Sequence, residues 1–344
     1  MKRLNILLSI LILILVNATI VSCSKSSLDG SIVTIAESKI LVDNEPYLIK
    51  GICYHPVPKG SDKRSFNNLT KDLALMVEAG INTIRVYSPI DNKDVLDEIN
   101  AAGLKVIIGF GYDQKGYFDI KSGSFLDYIN KYKSHDAILF WELGNEYNYH
   151  PEWFEGDIKI WYEALNNAAD LIHQTDSDHP VSTAHGELPD SLAFSLTESI
   201  DVWGINIYRW DKPASFFPEW RANSSKPMYF SEAGADSYMS IAKDNYEQGI
   251  SENAQADATK KILTETFSAP EICSGVTLYA FVDELWKAGN NSEQDPGGWA
   301  PNSTGVPYDG TPNEEYWGIV NIDRTKKKAF DIVKNTYTNL PNDK

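Results

Sequence analysis

The stretch 136–148, DAILFWELGNEYN, is apolar for half its length and then sets an amide beside a carboxylate at Asn145 and Glu146. Its apolar half, Asp136 to Trp141, reads as a strand buried on both faces, the pattern of a parallel sheet covered by helices. In a closed barrel of such strands the chemistry gathers at their C-terminal ends. A polar pair placed where a strand runs out therefore raises the question of whether the rest of the chain builds a barrel.

Seven further runs of the same kind flank this one. They are 47–54 (YLIKGICY), 82–87 (NTIRVY), 104–110 (LKVIIGF), 180–184 (PVSTA), 201–207 (DVWGINI), 227–231 (PMYFS) and 275–281 (GVTLYAF); with 137–143 (AILFWEL) they make eight. Amphipathic stretches lie between them. Residues 69–79 carry apolar side chains at helical spacing and stop at Gly80; 95–102 stop at Gly103; 158–172, 254–267 and 329–336 behave alike. Helices after the third, fifth and sixth strands are not evident in the pattern. Strand and helix alternating around eight strands predicts an α/β fold, the (β/α)8 TIM barrel. A single domain over 32–340 fits, because one barrel takes ~250 residues or more. Residues 32–50 read as two short strands around a turn at Asp43, Asn44 and Glu45, a β-hairpin under the barrel whose second arm leads from Tyr47 into the first strand. The irregular stretch 288–315 follows the eighth strand. Loops this long are functional or disordered, and Trp299 and Tyr308 favour a cleft wall.

Met1-Lys2-Arg3 and the apolar run from Leu4 to Ile20 form the basic and hydrophobic regions of a signal peptide, too short for a permanent span. The run closes on Ile20-Val21-Ser22-Cys23, which resembles a bacterial lipobox. That resemblance implies removal of 1–22, lipidation of Cys23, and a polar tether over 23–31. The expected place is the cell envelope, on the outer membrane or cell surface, touching the membrane only through the lipid. The chain carries a formal charge of −17; without Lys2 and Arg3, 29 basic residues face 48 acidic ones, or −19. Such a field repels nucleic acid and anionic membrane and disfavours a polyanionic substrate. The basic run Lys326-Lys327-Lys328 reads as a solvated helix start. Aromatic residues make up 12% of the chain, with 9 Trp and 18 Tyr; they suit either stacking platforms for sugar rings or a large aromatic core. Cys53 and Cys273 fall near opposite ends of their strands. A seven-residue strand spans about 23 Å and a disulfide needs Cα atoms within about 7 Å, so two free, buried thiols are expected.

A second carboxylate stands at a strand end: Glu232, after Ser231 in KPMYFSEAGADS, where the seventh strand stops. Two acids facing each other over a barrel mouth can flank one glycosidic bond. At this point the sequence resembles clan A glycoside hydrolases, the retaining (β/α)8 group with its acid/base after strand four and its nucleophile after strand seven. GNEYN matches the first signature and YFSEAGADS the second; YLIKGICYHP, TIRVY and YWGIVNIDRTKKKAF extend the likeness over nearly all of the mature chain. Within the clan it most resembles the family 2 barrel and the β-1,3-glucan enzymes of families 17 and 72; the β-sandwich domains usual in family 2 find no room in 32–340. The resemblance implies Glu146 as acid/base with a raised pKa and Glu232 as an ionised nucleophile, held by Arg85 and hydrogen-bonded by Tyr208. It implies that Asn145 binds the sugar 2-hydroxyl and that Trp286 floors the catalytic sugar. His55 is expected to line the site. His185 is either a second lining group or a core histidine. Tyr149, Trp153 and Phe154 form either a neighbouring subsite or a surface aromatic cluster, and Asp283 and Glu284 either meet substrate or are solvated.

Other chemistries lack their motifs. There is no G-x-S-x-G, P-loop or HExxH, no dinucleotide glycine fingerprint, and the six His show no metal-ligand spacing. No metal or cofactor is expected. The expectation is a monomeric retaining β-glycosidase on an oligo- or polysaccharide, a neutral β-glucan with β-1,3 linkage first. A transglycosylase or another β-glycanase or β-mannanase of the clan is the near alternative, and a non-catalytic glycan-binding lipoprotein the distant one.

Overall fold

The computed structural model describes residues 30–209, 212–296 and 309–340. The expected leader, Cys23, most of the tether, Trp299 and Tyr308 lie outside the described residues. Eight parallel strands close into a barrel in sequence order: β1 Ile49–Cys53, β2 Thr83–Val86, β3 Lys105–Phe110, β4 Ile138–Asn145, β5 Val181–Gly186, β6 Val202–Asn206, β7 Met228–Ala233 and β8 Cys273–Leu278. A helix follows each: α1 Leu69–Glu78, α2 Lys93–Ala101, α3 Phe125–Tyr132, α4 Ile158–Thr175, α5 Ser191–Leu196, α6 Phe217–Asn223, α7 Glu252–Thr266 and α8 Lys328–Asn339. This is the (β/α)8 barrel expected from the strand count.

The strands read as unbroken apolar runs because both faces are covered. Ile52, Ile84, Val86, Val106, Ile108 and Phe230 share one buried cluster with helix residues such as Leu73, Ile99 and Ile262. The intervening residues point into the barrel, by the two-residue period of a strand. The bottom layer is apolar: Ile49, Ile107, Phe140, Val202 and Tyr229 pack with Val33 and Ile40 from below. Those two come from an antiparallel sheet, Val33–Ala36, Lys39–Val42 and Glu45–Pro46, that plugs the barrel floor. Its second turn is the one anticipated, with Asp43 and Asn44 at positive φ; a further turn at Glu37 makes it a three-stranded meander. Ser31 is already buried and accepts a bond from Lys105 Nζ at 2.5 Å, so the folded body is under way where the tether was expected to end.

Three expectations need correction. Helices α3, α5 and α6, not evident in the pattern, are present but only six to eight residues long. Strand β8 begins at Cys273 and stops at Leu278, three residues short of the predicted end. Lys327 is not solvated: it is buried, and its Nζ pairs with Asp283 at 2.6 Å and reaches Ser237 Oγ at 3.0 Å. Asp283, also given by the Gly318 N–H and Gln294, is thereby a buried structural anion and not a solvated one. The two thiols are free and buried, at opposite ends of β1 and β8, as the strand geometry requires. Among the described residues no helix is long and apolar enough to cross a membrane.

Candidate active site

The top of the barrel holds a connected polar cluster. Arg85, fully buried on β2, is its hub. Its Nε and Nη2 meet Glu142 Oε1 at 2.8 and 2.7 Å, its Nη1 meets Glu232 Oε1 at 2.9 Å and the Ser231 carbonyl at 3.2 Å, and its Nη2 also gives to Asn145 Oδ1 at 2.8 Å. Tyr87, two residues on and so on the same side of the strand, lies under the guanidinium with its ring 4.5 Å away and donates its hydroxyl to Glu232 Oε1 at 2.8 Å. Tyr208 donates to the other oxygen, Oε2, at 2.8 Å. One cation and two hydroxyls thus hold the Glu232 carboxylate. Burial and the Glu232 charge keep both tyrosines well above their ordinary range, which leaves them protonated as donors.

Glu146 is treated in the opposite way. It leaves β4 in the left-handed region, φ 56°, which a non-glycine residue adopts at a cost and which marks functional sites often enough to notice. Gly144 before it sits at φ 72°, and a Cβ there would meet the Trp161 ring at 2.5 Å, so the glycine of GNE is required twice over. The pairing register slips between Glu142 and Asn145 on β4 and again between Phe230 and Glu232 on β7. Such irregularities re-aim side chains at barrel rims. The Glu146 side chain takes one described hydrogen bond, from Asn206 Nδ2 at 2.9 Å. Burial, helped by the negative charge of Glu232, pushes its carboxyl up to about 7 against the pull of Asn206, Arg85 and Lys287. Asn206 also gives to Asn145 Oδ1 at 3.1 Å and accepts from Ser231 Oγ at 2.7 Å, and so links Glu146 to the residue before Glu232. The Asn145 side-chain oxygen is thus shared between Arg85 and Asn206.

Comparison with known proteins bears on this arrangement. A family model described as glycosyl hydrolases family 2, TIM barrel domain, matches residues 33–261, well over half of the chain. The chain belongs to this family. Of the resemblances read from the sequence, the family 2 barrel is the one the family model matches. Similar solved structures include the Faecalibacterium prausnitzii β-glucuronidase (TM-score 0.67, 20% identity, 91% of this chain and 52% of that one), the Bacteroides uniformis β-glucuronidase (0.69, 19%, 89% and 37%) and a family 2 β-galacturonidase from Eisenbergiella tayi bound to galacturonate (0.63, 21%, 91% and 55%). At these identities the likeness is one of fold, and the chain spans about half the length of these structures or less. No curated protein is a significant match.

Around the two acids, this family 2 barrel places the remaining predicted residues unequally. His55 and Trp286 lie together, ring centroids 5.1 Å apart, and His55 Nδ1 and Trp286 Nε1 are both buried without a hydrogen-bond partner in the described structure. Burial, with Arg64 and Lys287 nearby, lowers His55 to about 4, so it is neutral. His185 spends both ring nitrogens inside the protein, on the Glu187 carbonyl at 3.0 Å and the Tyr162 hydroxyl at 3.2 Å, which is the core-histidine arrangement. Tyr149 and Trp153 are exposed beside the Glu146 loop, and Trp153 stacks on His150 at 4.0 Å. Phe154 turns inward against Trp161 and belongs to the core. Glu284 is buried and not solvated: it accepts the Tyr279 hydroxyl at 2.7 Å, and burial raises its carboxyl to about 7. Lys287 lies 3.8 Å from Glu284 and 3.2 Å from Glu314, over the rings of Tyr279 and Trp286.

Four cluster members escaped the sequence reading: Glu142, Tyr87, Asn206 and Lys287. Tyr87 and Asn206 stand at strand ends, in TIRVY and GINIY, and the question asked of the acids would have found them there. Glu142 carried a different signal, a charge in the middle of a strand otherwise apolar.

Proposed function

We propose that this barrel is a retaining β-glycosidase in which Glu232 is the nucleophile and Glu146 the general acid and base. The observation that carries the reading is the contrasting treatment of the two carboxyls: Glu146 is desolvated, takes one hydrogen bond and is raised to about 7, whereas Glu232 is gripped by the Arg85 guanidinium and the Tyr87 and Tyr208 hydroxyls. Pairs of acids pushed apart by their surroundings divide acid from base work. Glu146 gives its proton to the departing glycosidic oxygen while a Glu232 oxygen bonds to the anomeric carbon. Water, losing its proton to Glu146, then displaces Glu232. A sugar hydroxyl in place of water gives transfer instead of hydrolysis. The Asn145 N–H groups face the sugar 2-hydroxyl, and Trp286 with His55 walls the same subsite.

The substrate we favour is a neutral β-glucan, with the β-1,3 linkage resting only on the resemblance to families 17 and 72. The uronides named for the similar structures are a second reading, since Lys287 offers a cation near Glu232. Two carboxylates already flank Lys287, and an incoming uronate would add a third; like charges at such distances repel. Aryl β-glucoside, laminarin-type oligosaccharides, β-mannan oligosaccharides and aryl β-glucuronide, each given to wild type and Glu232→Gln, test the proposal. Turnover of a neutral substrate by wild type alone supports it; turnover of the glucuronide alone moves the substrate class to uronides; binding with no turnover of any substrate sinks the enzyme and leaves a glycan-binding module. The proposed envelope anchor at Cys23 is tested apart, by whether Cys23→Ser moves the protein from the membrane to the soluble fraction.

A further inference from the structure

Beneath the two proposed catalytic acids lies a third carboxylate with no part in that scheme. Glu142 is buried in the barrel, 1% exposed, three residues before Asn145 on β4. Around it stand Arg85 of β2 and Tyr229 of β7, with Gly109 of β3 and Ser182 of β5 at its pairing positions. Arg85 meets one of its oxygens through two nitrogens and the Tyr229 hydroxyl gives to the other. A buried acid satisfied this completely is expensive to desolvate, and an apolar residue would fill the space at lower cost. Its partner explains the expense. Every nitrogen of the Arg85 guanidinium is engaged, and the same cation that holds Glu142 holds Glu232 and Asn145. A lysine could not serve all these corners.

We propose that Glu142 is a positioning residue that fixes the Arg85 fork and offsets its charge, so that Glu232 and Glu146 meet a guanidinium already half neutralised. The inference rests on the glycosidase reading for its kinetic consequences, though not for its electrostatic ones. Without the Glu142 charge, Arg85 presents its full cation upward. Glu232 is then gripped more tightly and attacks less readily. Glu146, faced by Arg85, Glu232, Asn206, Lys287, Tyr149 and Tyr208, loses its proton more easily, because a more positive surrounding favours the anion.

The test is Glu142→Gln beside Glu142→Asp, with kcat and KM taken from pH 4 to 9 on whichever glycoside the wild type turns over. The expected result for Glu142→Gln is a kcat loss on the order of 10- to 100-fold, KM within about 3-fold, and an alkaline limb moved down by roughly one pH unit. Glu142→Asp, which keeps the charge, leaves the limb in place. If Glu142→Gln does not fold, Tyr229→Phe carries the test: removing a donor from Glu142 strengthens its pull on Arg85 and moves the limb up, by about a few tenths of a unit. A kcat loss in Glu142→Gln with an unmoved limb, or a limb that Tyr229→Phe leaves alone or lowers, overturns the proposal and leaves Glu142 a packing residue. The 13C-carboxyl titration of Glu146, assigned by its disappearance in Glu146→Gln, reads the same shift without substrate. A shift there in a protein that cleaves nothing would reject the glycosidase reading and keep the charge coupling; no shift in an active enzyme would do the reverse.

Discussion

Replacing Glu146 by glutamine should make the protein more stable, and only at one end of the pH scale. Burial and the Glu232 charge lift the Glu146 carboxyl from 4.5 to about 7. Each unit is worth roughly 1.4 kcal/mol, so full ionisation of Glu146 costs the fold about 3 kcal/mol. The direction follows from proton counts. Between 4.5 and about 7 the folded chain keeps a proton that the unfolded chain has released, so stability falls as pH rises through that window. Below it the cost is absent; above it the cost is complete. Glutamine retains an oxygen for Asn206 Nδ2 and cannot ionise. Urea unfolding of wild type and Glu146→Gln at pH 4.5, 6, 7 and 8 should give curves that nearly coincide at the lowest pH and separate by about 2–3 kcal/mol in favour of the variant at the highest. Glu284, which burial also raises to about 7, titrates in both proteins and cancels in the difference. A stability difference that does not grow with pH, or a variant weaker than wild type at pH 8, would mean that Glu146 is not held protonated by its surroundings.

Three further outcomes follow from the same geometry. Tyr208→Phe removes one of the two hydroxyl donors on Glu232 and should lower kcat by about 10- to 100-fold on an aryl glycoside, with KM little changed. Trp153→Ala takes away an exposed ring beside the Glu146 loop; for the proposed neighbouring subsite, KM should rise roughly several-fold for oligosaccharides and stay put for an aryl monoglycoside. Gly144→Ala must hold φ 72° and place a methyl 2.5 Å from the Trp161 ring, so a loss of about 2 kcal/mol or more is expected in urea unfolding, with activity falling as Glu146 is displaced.

The barrel was legible because its strands are buried on both faces, which makes them continuous apolar runs that no exposed element imitates. Long helices were legible for a related reason, since α1, α4 and α7 are long enough for a period of 3.6 residues to repeat. Helix α3 carries the same signal in Phe125, Tyr128, Ile129 and Tyr132, all buried, but it lacks the closing glycine that marks α1 at Gly80 and α2 at Gly103. The two acids stand out in the sequence because each lies where a strand runs out and because their motifs resemble a known clan. The network beneath them was not. Glu142 and Arg85 compensate each other inside the barrel from strands that are 57 residues apart in sequence, and no local pattern records that pairing. Lys327 shows the reverse error: within a run of three lysines it reads as surface, yet the buried Asp283 from the loop after β8 draws it inside. Charge in a sequence says little about burial until its partner is known, and here the partners are supplied by barrel closure.

The proposed double displacement requires that a Glu232 oxygen bond to the anomeric carbon in a covalent glycosyl-enzyme. Wild type and Glu232→Gln should be incubated with 2-deoxy-2-fluoro β-glycosides bearing a good leaving group, the gluco and mannose-derived forms among them, and digested for peptide mass mapping. A single added sugar on the peptide containing Tyr229 to Ala233, localised to Glu232 and missing from the variant, is the predicted result. A sugar carried by Glu146, Glu142 or Glu284 instead, or turnover of an unmodified glycoside by Glu232→Gln at the wild-type rate, would contradict it.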